Sequence, residues 1–310
     1  MGTTYSVVAI DPSAKLNADD VKAAVEATLT KVNAGMSNWD PKSEVSLFNA
    51  AQTSEPQPVT PEFAKVMAAA NEVHRLSEGQ FDVTLGPLIE LWGFGARNSE
   101  SPIPPDDAIT AALDVVGQAK VLELDAGAGT LSKKYEDTSI YLAAIAKGYG
   151  VDEVAATLAG FEISDYLVEI GGDLVTSGKN AEGQPWRIGI ERPEAGTSGQ
   201  VEEVVNLSGR GMATSGDYRN YFEEDGVRYS HIIDAVSGRP ITHTTASVTV
   251  LAENAMMADA WATALLALGQ ERGMPIAEEL DLAVLFIARD PNAQETSFVH
   301  ASSSAFDKLK

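Results

Sequence analysis

The residue types best suited to chemistry in this chain gather between Tyr229 and Thr263. That stretch begins YSHIIDAVSGRP, passes through the apolar run SVTVLA and ends in ENAMMADAWATALLALG. His231 lies in a strand-like alternation that sets Tyr229 and His231 on one face, and Ser230 and Ile232 on the other. A histidine there is either a structural side chain with satisfied hydrogen bonds, or a base that takes a proton from a nucleophile or meets a leaving phosphate. Asp259 and Thr263 are four apart on a helical pattern, hence on one face, and their oxygens suit a hard divalent cation such as Mg²⁺. The competing reading is an apolar helix with two incidental polar residues. An aspartate between Met-Met-Ala and Ala-Trp-Ala is costly to bury unless paired or ligating, which favours ligation.

Other candidates are weaker. Lys147, in IAKGYG, is either an ordinary surface lysine or a contact to phosphate or a ring edge beside a glycine that admits a ligand. The turns expected at Gly171-Gly172-Asp173 and Thr214-Ser215-Gly216 have amides to offer phosphate oxygens, a common arrangement with little specificity. No Walker A or GxGxxG pattern is present, so neither a P-loop NTPase nor a Rossmann dehydrogenase is supported.

Composition narrows the class. The 310 residues, 44% of them apolar, suffice for a substantial core over 1–310, as one large domain or two intimately packed lobes. A net charge of −23 argues against a general nucleic-acid binder or an anionic-membrane binder. A phosphate-bearing substrate must then be drawn in by local cations, backbone amides or a metal. With no cysteine there is no disulfide, thiolate nucleophile or cysteine metal site. Four histidines (His74, His231, His243 and His300) leave few groups that titrate near neutrality. No apolar run has transmembrane length and no signal peptide is seen; the abrupt opening as a strand suggests that a leader has been trimmed.

Several elements must position these residues. The pattern predicts a strand to Ile10 with a turn at Asp11-Pro12, then a helix capped by Asn17. Residues 36–49 read as a turn-rich connection carrying Trp39. Thr60-Pro61-Glu62 starts a helix with Phe63, Val66, Met67, Ala70 and Val73 as its buried stripe. A hairpin is expected from KVLELD and TLSKKY, and a helix with a small-residue centre over 139–159. YLVEIGGDLVTSG, WRIGIERP and EVVNLS read as strands, YRNYF-EEDG-VRYSHIID as a hairpin, and residues 254–269 as a helix. A short helix started by proline and the buried strand LAVLFIAR follow, and the polar tail after about residue 294 is expected to be loosely held. Without regular β–α alternation, α+β is favoured over a doubly wound sheet.

Eight motifs in order carry a resemblance: MGTTYSV, MSNWDPKSEVSLFN, FDVTLGPLIELWGFG, AIAKGYGVD, EIGGDL, ATSGDYRNYF, YSHIIDAVSGRPI and ADAWATAL. Together they resemble the ApbE family of FAD:protein FMN transferases, from residue 1 to about 290. The resemblance implies a two-lobed, T-fold-like α+β architecture. It also implies a Mg²⁺-dependent enzyme that cleaves the pyrophosphate of FAD and links FMN through a phosphoester to a Thr or Ser of a partner. Partners in the family include subunits of ion-pumping NADH and ferredoxin redox complexes, in the periplasm or at the outer face of the bacterial inner membrane. Carried over by position, Met1, Trp39, Gln80, Phe81 and Asp82 resemble flavin or adenine contacts, and Lys147 and Ile232 further FAD contacts. The Ala144 carbonyl with Asp259 and Thr263 resembles the metal set, and His231 the catalytic histidine that helps deprotonate the acceptor.

Two departures stand out. Tyr141 occupies the family's usual aspartate in Asp-Leu-x-x-Ile-Ala-Lys-Gly, an FAD contact; a tyrosine there offers a hydrogen bond, a stacking ring or an obstruction. Ala235 replaces a common proline, a change expected to affect only turn rigidity. Three readings stay open: the transferase, an FAD pyrophosphatase that releases FMN and AMP to water, and a non-catalytic periplasmic FAD-binding protein.

Overall fold

The computed structural model describes residues 2–10, 16–95, 103–194, 196, 199–293 and 297–309. The expected Asp11-Pro12 turn lies outside them. Strand β1 (Tyr5–Ile10) leads to α1 (Ala18–Met36), where the Asn17 side chain accepts from Asp19 N, as the cap signal predicts. Helix α2 (Glu44–Ala50) replaces the second half of the expected turn-rich connection, because the Ser43 hydroxyl accepts from Ser46 N and opens a helix. A short strand, β2 (Gln57–Pro58), precedes α3 (Pro61–Leu76), whose Thr60 cap and buried stripe are those read from the sequence.

Three short helices, α4 (Gly86–Leu91), α5 (Asp106–Asp114) and α6 (Gln118–Val121), lead to β3 (Leu122–Asp125) and β4 (Thr130–Lys133), the expected hairpin. The helix expected from 139 begins only at Ala146, as α7 (Ala146–Gly160). Two asparagines capture the preceding backbone. Asn49 donates to Ile140 O at 2.8 Å and accepts from Ile140 N at 2.7 Å, and Asn38 accepts from Leu142 N at 2.9 Å. Those bonds take groups that a helix would need for itself.

The remaining elements are β5 (Asp165–Ile170), β6 (Asp173–Ser177), β7 (Trp186–Glu191), β8 (Val201–Leu207), β9 (Arg210–Gly216), β10 (Tyr221–Glu224), β11 (Val227–Ser230) and β12 (Thr245–Ala252). Then come α8 (Ala255–Glu279), β13 (Ala283–Arg289), β14 (Phe298–Ser302) and α9 (Ser304–Asp307). Gly269, at φ 72° and ψ 169°, interrupts α8 where the sequence ends its helix; Pro275 lies inside the second half and does not start a separate one. From residue 298 to 307 the tail is not loosely held. β14 pairs with β13, and Phe306 is fully buried.

Seven strands form one sheet in the order β1-β5-β6-β9-β12-β13-β14, every neighbouring pair antiparallel, which bears out the α+β class. Alternation along β13 shows how the sheet is buried. Val284 and Phe286 join the core with α3 and α8, whereas Leu285 and Ile287 face a second core with the β7–β8 ribbon and Phe306. A smaller cluster around Leu88, Trp92, Ile109 and Ile233 joins α4 and α5 to the β10–β11 hairpin.

Candidate functional site

A cleft of about 890 Å³ collects segments that are far apart in the chain. Of the expected site residues, Trp39, Gln80, Phe81, Asp82, Tyr141, Ala144, Lys147, His231, Ile232, Asp259 and Thr263 all line it. Met1 lies outside the described residues.

Its floor is charged. From α7, Lys147 Nζ donates to Asp173 Oδ2 at 2.6 Å and to Asp259 Oδ1 at 3.0 Å. Both carboxylates are buried, 3% and 2% exposed, while the lysine keeps 30% exposure. Burial works against the charge on Lys147, but the Asp259 and Asp173 carboxylates more than offset it, and the amine titrates above the ordinary lysine range. Burial, with repulsion from Asp259, pushes Asp173 well above the ordinary carboxylate range against the pull of Lys147. Sequence reasoning missed Asp173 as an ion-pair partner, because it lies on β6 and no local pattern links it to Lys147.

Oxygen donors converge beside this cluster. Gly148 N donates to Asp259 Oδ2 at 3.1 Å instead of closing a first helical turn on the Ala144 carbonyl, which has no donor among the described residues. Gly148 permits this approach, since a Cβ there would come within 2.2 Å of Ala255 O on α8. Asp259 and Thr263 line the cleft together, as their spacing predicts, and Thr263 Oγ1 lies 3.0 Å from Ser215 Oγ. A carbonyl, a carboxylate and a hydroxyl fit Mg²⁺, which uses few protein oxygens and fills its shell with water and phosphate. Asp259, with Oδ1 on Lys147 and Oδ2 on Gly148 N, is the anionic member of that set.

His231 follows directly after β11. Its Nδ1 lies 2.9 Å from Asn220 O. A carbonyl only accepts, so Nδ1 carries the hydrogen and the neutral ring keeps its lone pair on Nε2, the arrangement of a base. Burial holds the ring below the ordinary histidine range, with the Asn220 carbonyl and Asp217 pulling the other way. Four aromatic rings brace it: Trp92 stacks on Tyr229 (5.8 Å), Tyr229 on Phe222 (4.9 Å) and Phe222 on Phe94 (5.5 Å), whose ring meets His231 edge-on at 6.3 Å. Tyr229 and His231 thus meet one aromatic run, in keeping with the alternation. His74, His243 and His300 do not line the cleft.

Several expected contacts are occupied from within. The Asp82 carboxylate accepts from Thr84 N at 2.7 Å and Gln118 N at 2.8 Å, and the Gln80 amide donates to Asp234 Oδ2 at 3.1 Å. Gln80 Oε1 also accepts from Ala235 N at 3.3 Å, a bond that proline at 235 could not make; the change from proline therefore adds a hydrogen bond as well as loosening the turn. The Gly171 and Gly172 amides donate to Thr4 O and Glu169, and Thr214–Gly216 is strand paired with β12, so neither segment supplies the free amides expected of a turn. Tyr141 donates its N–H to Val83 O at 2.7 Å, and burial, with Glu90 nearby, raises its phenol above the ordinary tyrosine range. Trp39 stands 63% exposed at the rim.

Fold and cleft together define an α+β protein with a charged, oxygen-rich floor and a braced histidine on one wall. Known proteins share the fold. The model of the ApbE family matches residues 1–286. The FAD:protein FMN transferase of Haemophilus influenzae is 43% identical over 312 residues, covering 100% of this chain and 89% of its own length. The flavin transferase ApbE from Vibrio cholerae aligns with TM-score 0.90 and 39% identity, over 100% of this chain and 96% of that one. The apo flavinyl transferase ApbE of Pseudomonas stutzeri aligns with TM-score 0.89 and 38% identity, over 100% and 94%. The chain belongs to the ApbE family.

Proposed function

We propose that this chain is an FAD:protein FMN transferase, dependent on Mg²⁺, that forms a phosphoester on a Thr or Ser of an acceptor and releases AMP. What carries the reading is the convergence, in one cleft, of His231 with an open Nε2 and of the Ala144, Asp259 and Thr263 oxygens beside Lys147. The acceptor hydroxyl oxygen bonds to the phosphorus of the FMN half, the bond from that phosphorus to the bridging oxygen breaks, and AMP leaves with the electron pair. His231 Nε2 takes the hydroxyl proton. Lys147 meets the substrate from the floor, and Phe94 keeps the imidazole aligned. Held by Ala144, Asp259 and Thr263, Mg²⁺ would neutralise charge on the pyrophosphate and ease departure of AMP.

In this reading the acceptors are subunits of ion-pumping NADH or ferredoxin redox complexes, met in the periplasm or at the outer face of the inner membrane. Among the described residues no helix is long and apolar enough to cross a membrane. The test incubates the chain with FAD, Mg²⁺ and an acceptor domain and reads flavin fluorescence on a denaturing gel. A fluorescent acceptor band, lost with EDTA or with His231→Gly, supports the transferase. A dark band with free FMN and AMP replaces it with hydrolysis. A dark band with intact FAD overturns catalysis, and Tyr141→Asp then asks whether the tyrosine is the cause.

A further inference from the structure

We infer that Arg219 is a further catalytic residue of the proposed transfer: its guanidinium leaves Glu191 when substrate enters and holds the non-bridging oxygens of the phosphoryl group under attack beside His231. This rests on the reading above and adds a residue to it.

Charge points there first. Among the described residues the cleft lining carries four carboxylates, Asp82, Glu169, Glu191 and Asp259, against two cations, Lys147 and Arg219. Lys147 is already matched by two buried carboxylates at 2.6 and 3.0 Å. Arg219 is different. Its salt bridge is with Glu191 at the rim, where the two side chains are 64% and 35% exposed. An exposed pair of this kind is held weakly, so exchanging Glu191 for a phosphate costs little.

Position points the same way. Arg219 precedes Asn220, whose carbonyl fixes His231 Nδ1 at 2.9 Å, so the cation and the anchor of the base share one short turn. The guanidinium carbon lies 5.5 Å from the Tyr218 ring centre, and Tyr218, Arg219, Asn220 and His231 all line the cleft. A planar guanidinium matches two phosphoryl oxygens with two parallel N–H donors, which lysine does not. Charge in phosphoryl transfer spreads over the equatorial oxygens, where such a donor stabilises the transition state. The bonds that form and break are those of the transfer itself; Arg219 contributes hydrogen bonds only and keeps its proton.

The test uses the full chain and its Arg219→Ala, Arg219→Lys and Glu191→Gln variants. Binding is read by flavin fluorescence with FMN and with riboflavin, which differ by the phosphate. Loss of Arg219 should erode the preference for FMN by about tenfold to a hundredfold, the range of one hydrogen bond to a charged group, and leave riboflavin binding unchanged. Glu191→Gln, which frees the guanidinium, should strengthen that preference. In the transfer assay Arg219→Ala should lower kcat more than it raises KM for FAD. Arg219→Lys should recover only part of the loss, and added methylguanidine should rescue Arg219→Ala. Equal effects of Arg219→Ala on both flavins, no effect on either, or matching losses for Arg219→Ala and Glu191→Gln would make the pair a structural rim contact and overturn the proposal. If the unmodified chain labels no acceptor, the transferase reading fails, while the FMN–riboflavin comparison still decides Arg219's phosphate contact.

Discussion

Replacing Lys147 by methionine tests how the floor of the cleft is held. Methionine keeps most of the apolar stem and removes the ammonium, so the loss isolates the charge. Lys147 makes two charge-assisted bonds, at 2.6 and 3.0 Å, to carboxylates only 3% and 2% exposed. Each such bond contributes about 1.5–3 kcal/mol, and breaking a buried pair by removing one partner costs about 3–5 kcal/mol, because an uncompensated charge stays behind. Here Asp259 stays behind charged, and Asp173, already pushed up by burial, loses the cation that opposed the push, so about 4 kcal/mol is expected for Lys147→Met. In a chain of this length unfolding entropy makes each kcal/mol worth about 1.5 °C, so the melting temperature should fall by about 6 °C. Removing one of the stranded acids as well, in Lys147→Met with Asp173→Asn, should recover a large part of that loss. The assay is denaturant and thermal unfolding of the single and double variants. A loss below about 1 kcal/mol, the level of an exposed pair, would refute the reasoning. So would a double variant no more stable than Lys147→Met.

Other outcomes follow from the same geometry. Since burial lowers the His231 pKa and the base works when neutral, activity is lost as pH falls through that value; the acid limb of kcat/KM should lie below about pH 6.5, and a limb above about pH 7 would contradict it. Asn49→Ala removes both bonds to Ile140, and should cost about 2 kcal/mol, speed hydrogen exchange over residues 138–142 and raise KM for FAD. Gly148→Ala drives a Cβ to 2.2 Å from Ala255 O; it should destabilise by about 1–3 kcal/mol and weaken Mg²⁺ binding in titration calorimetry by disturbing Asp259, and a neutral result would mean α7 and α8 can part.

What the sequence made legible was mostly local. Asn17 and Thr60-Pro61 announce α1 and α3 because a cap and its helix lie within one turn of chain. Asp259 and Thr263 were readable as a pair for the same reason. The delayed start of α7 was not, since the asparagines that capture Ile140 and Leu142 come from a segment about a hundred residues earlier, and an asparagine's partner leaves no local signature. Asp173 stayed hidden behind a Gly-Gly turn that drew attention to its amides, although those amides are spent on Thr4 and Glu169. Gln80 and Asp82 line the cleft; that their side chains bond to Asp234, Thr84 and Gln118 is decided by partners that only the tertiary structure brings near.

The pairing of β1 with β5 sets a clock as well as a shape. Tyr5 must find Ile170, and Ile10 must find Asp165, before the first edge of the large sheet exists. At about 5–20 residues per second of synthesis, the opening strand waits roughly ten to thirty seconds for its partner. The sequence YSVVAI carries no charged residue to discourage a wrong neighbour during that delay. The repulsion that keeps such chains apart must come from elsewhere; the chain is acidic, and its excess reaches 23 negative charges when complete. The acidity that makes the cleft depend on local cations to hold phosphate therefore also guards the nascent chain.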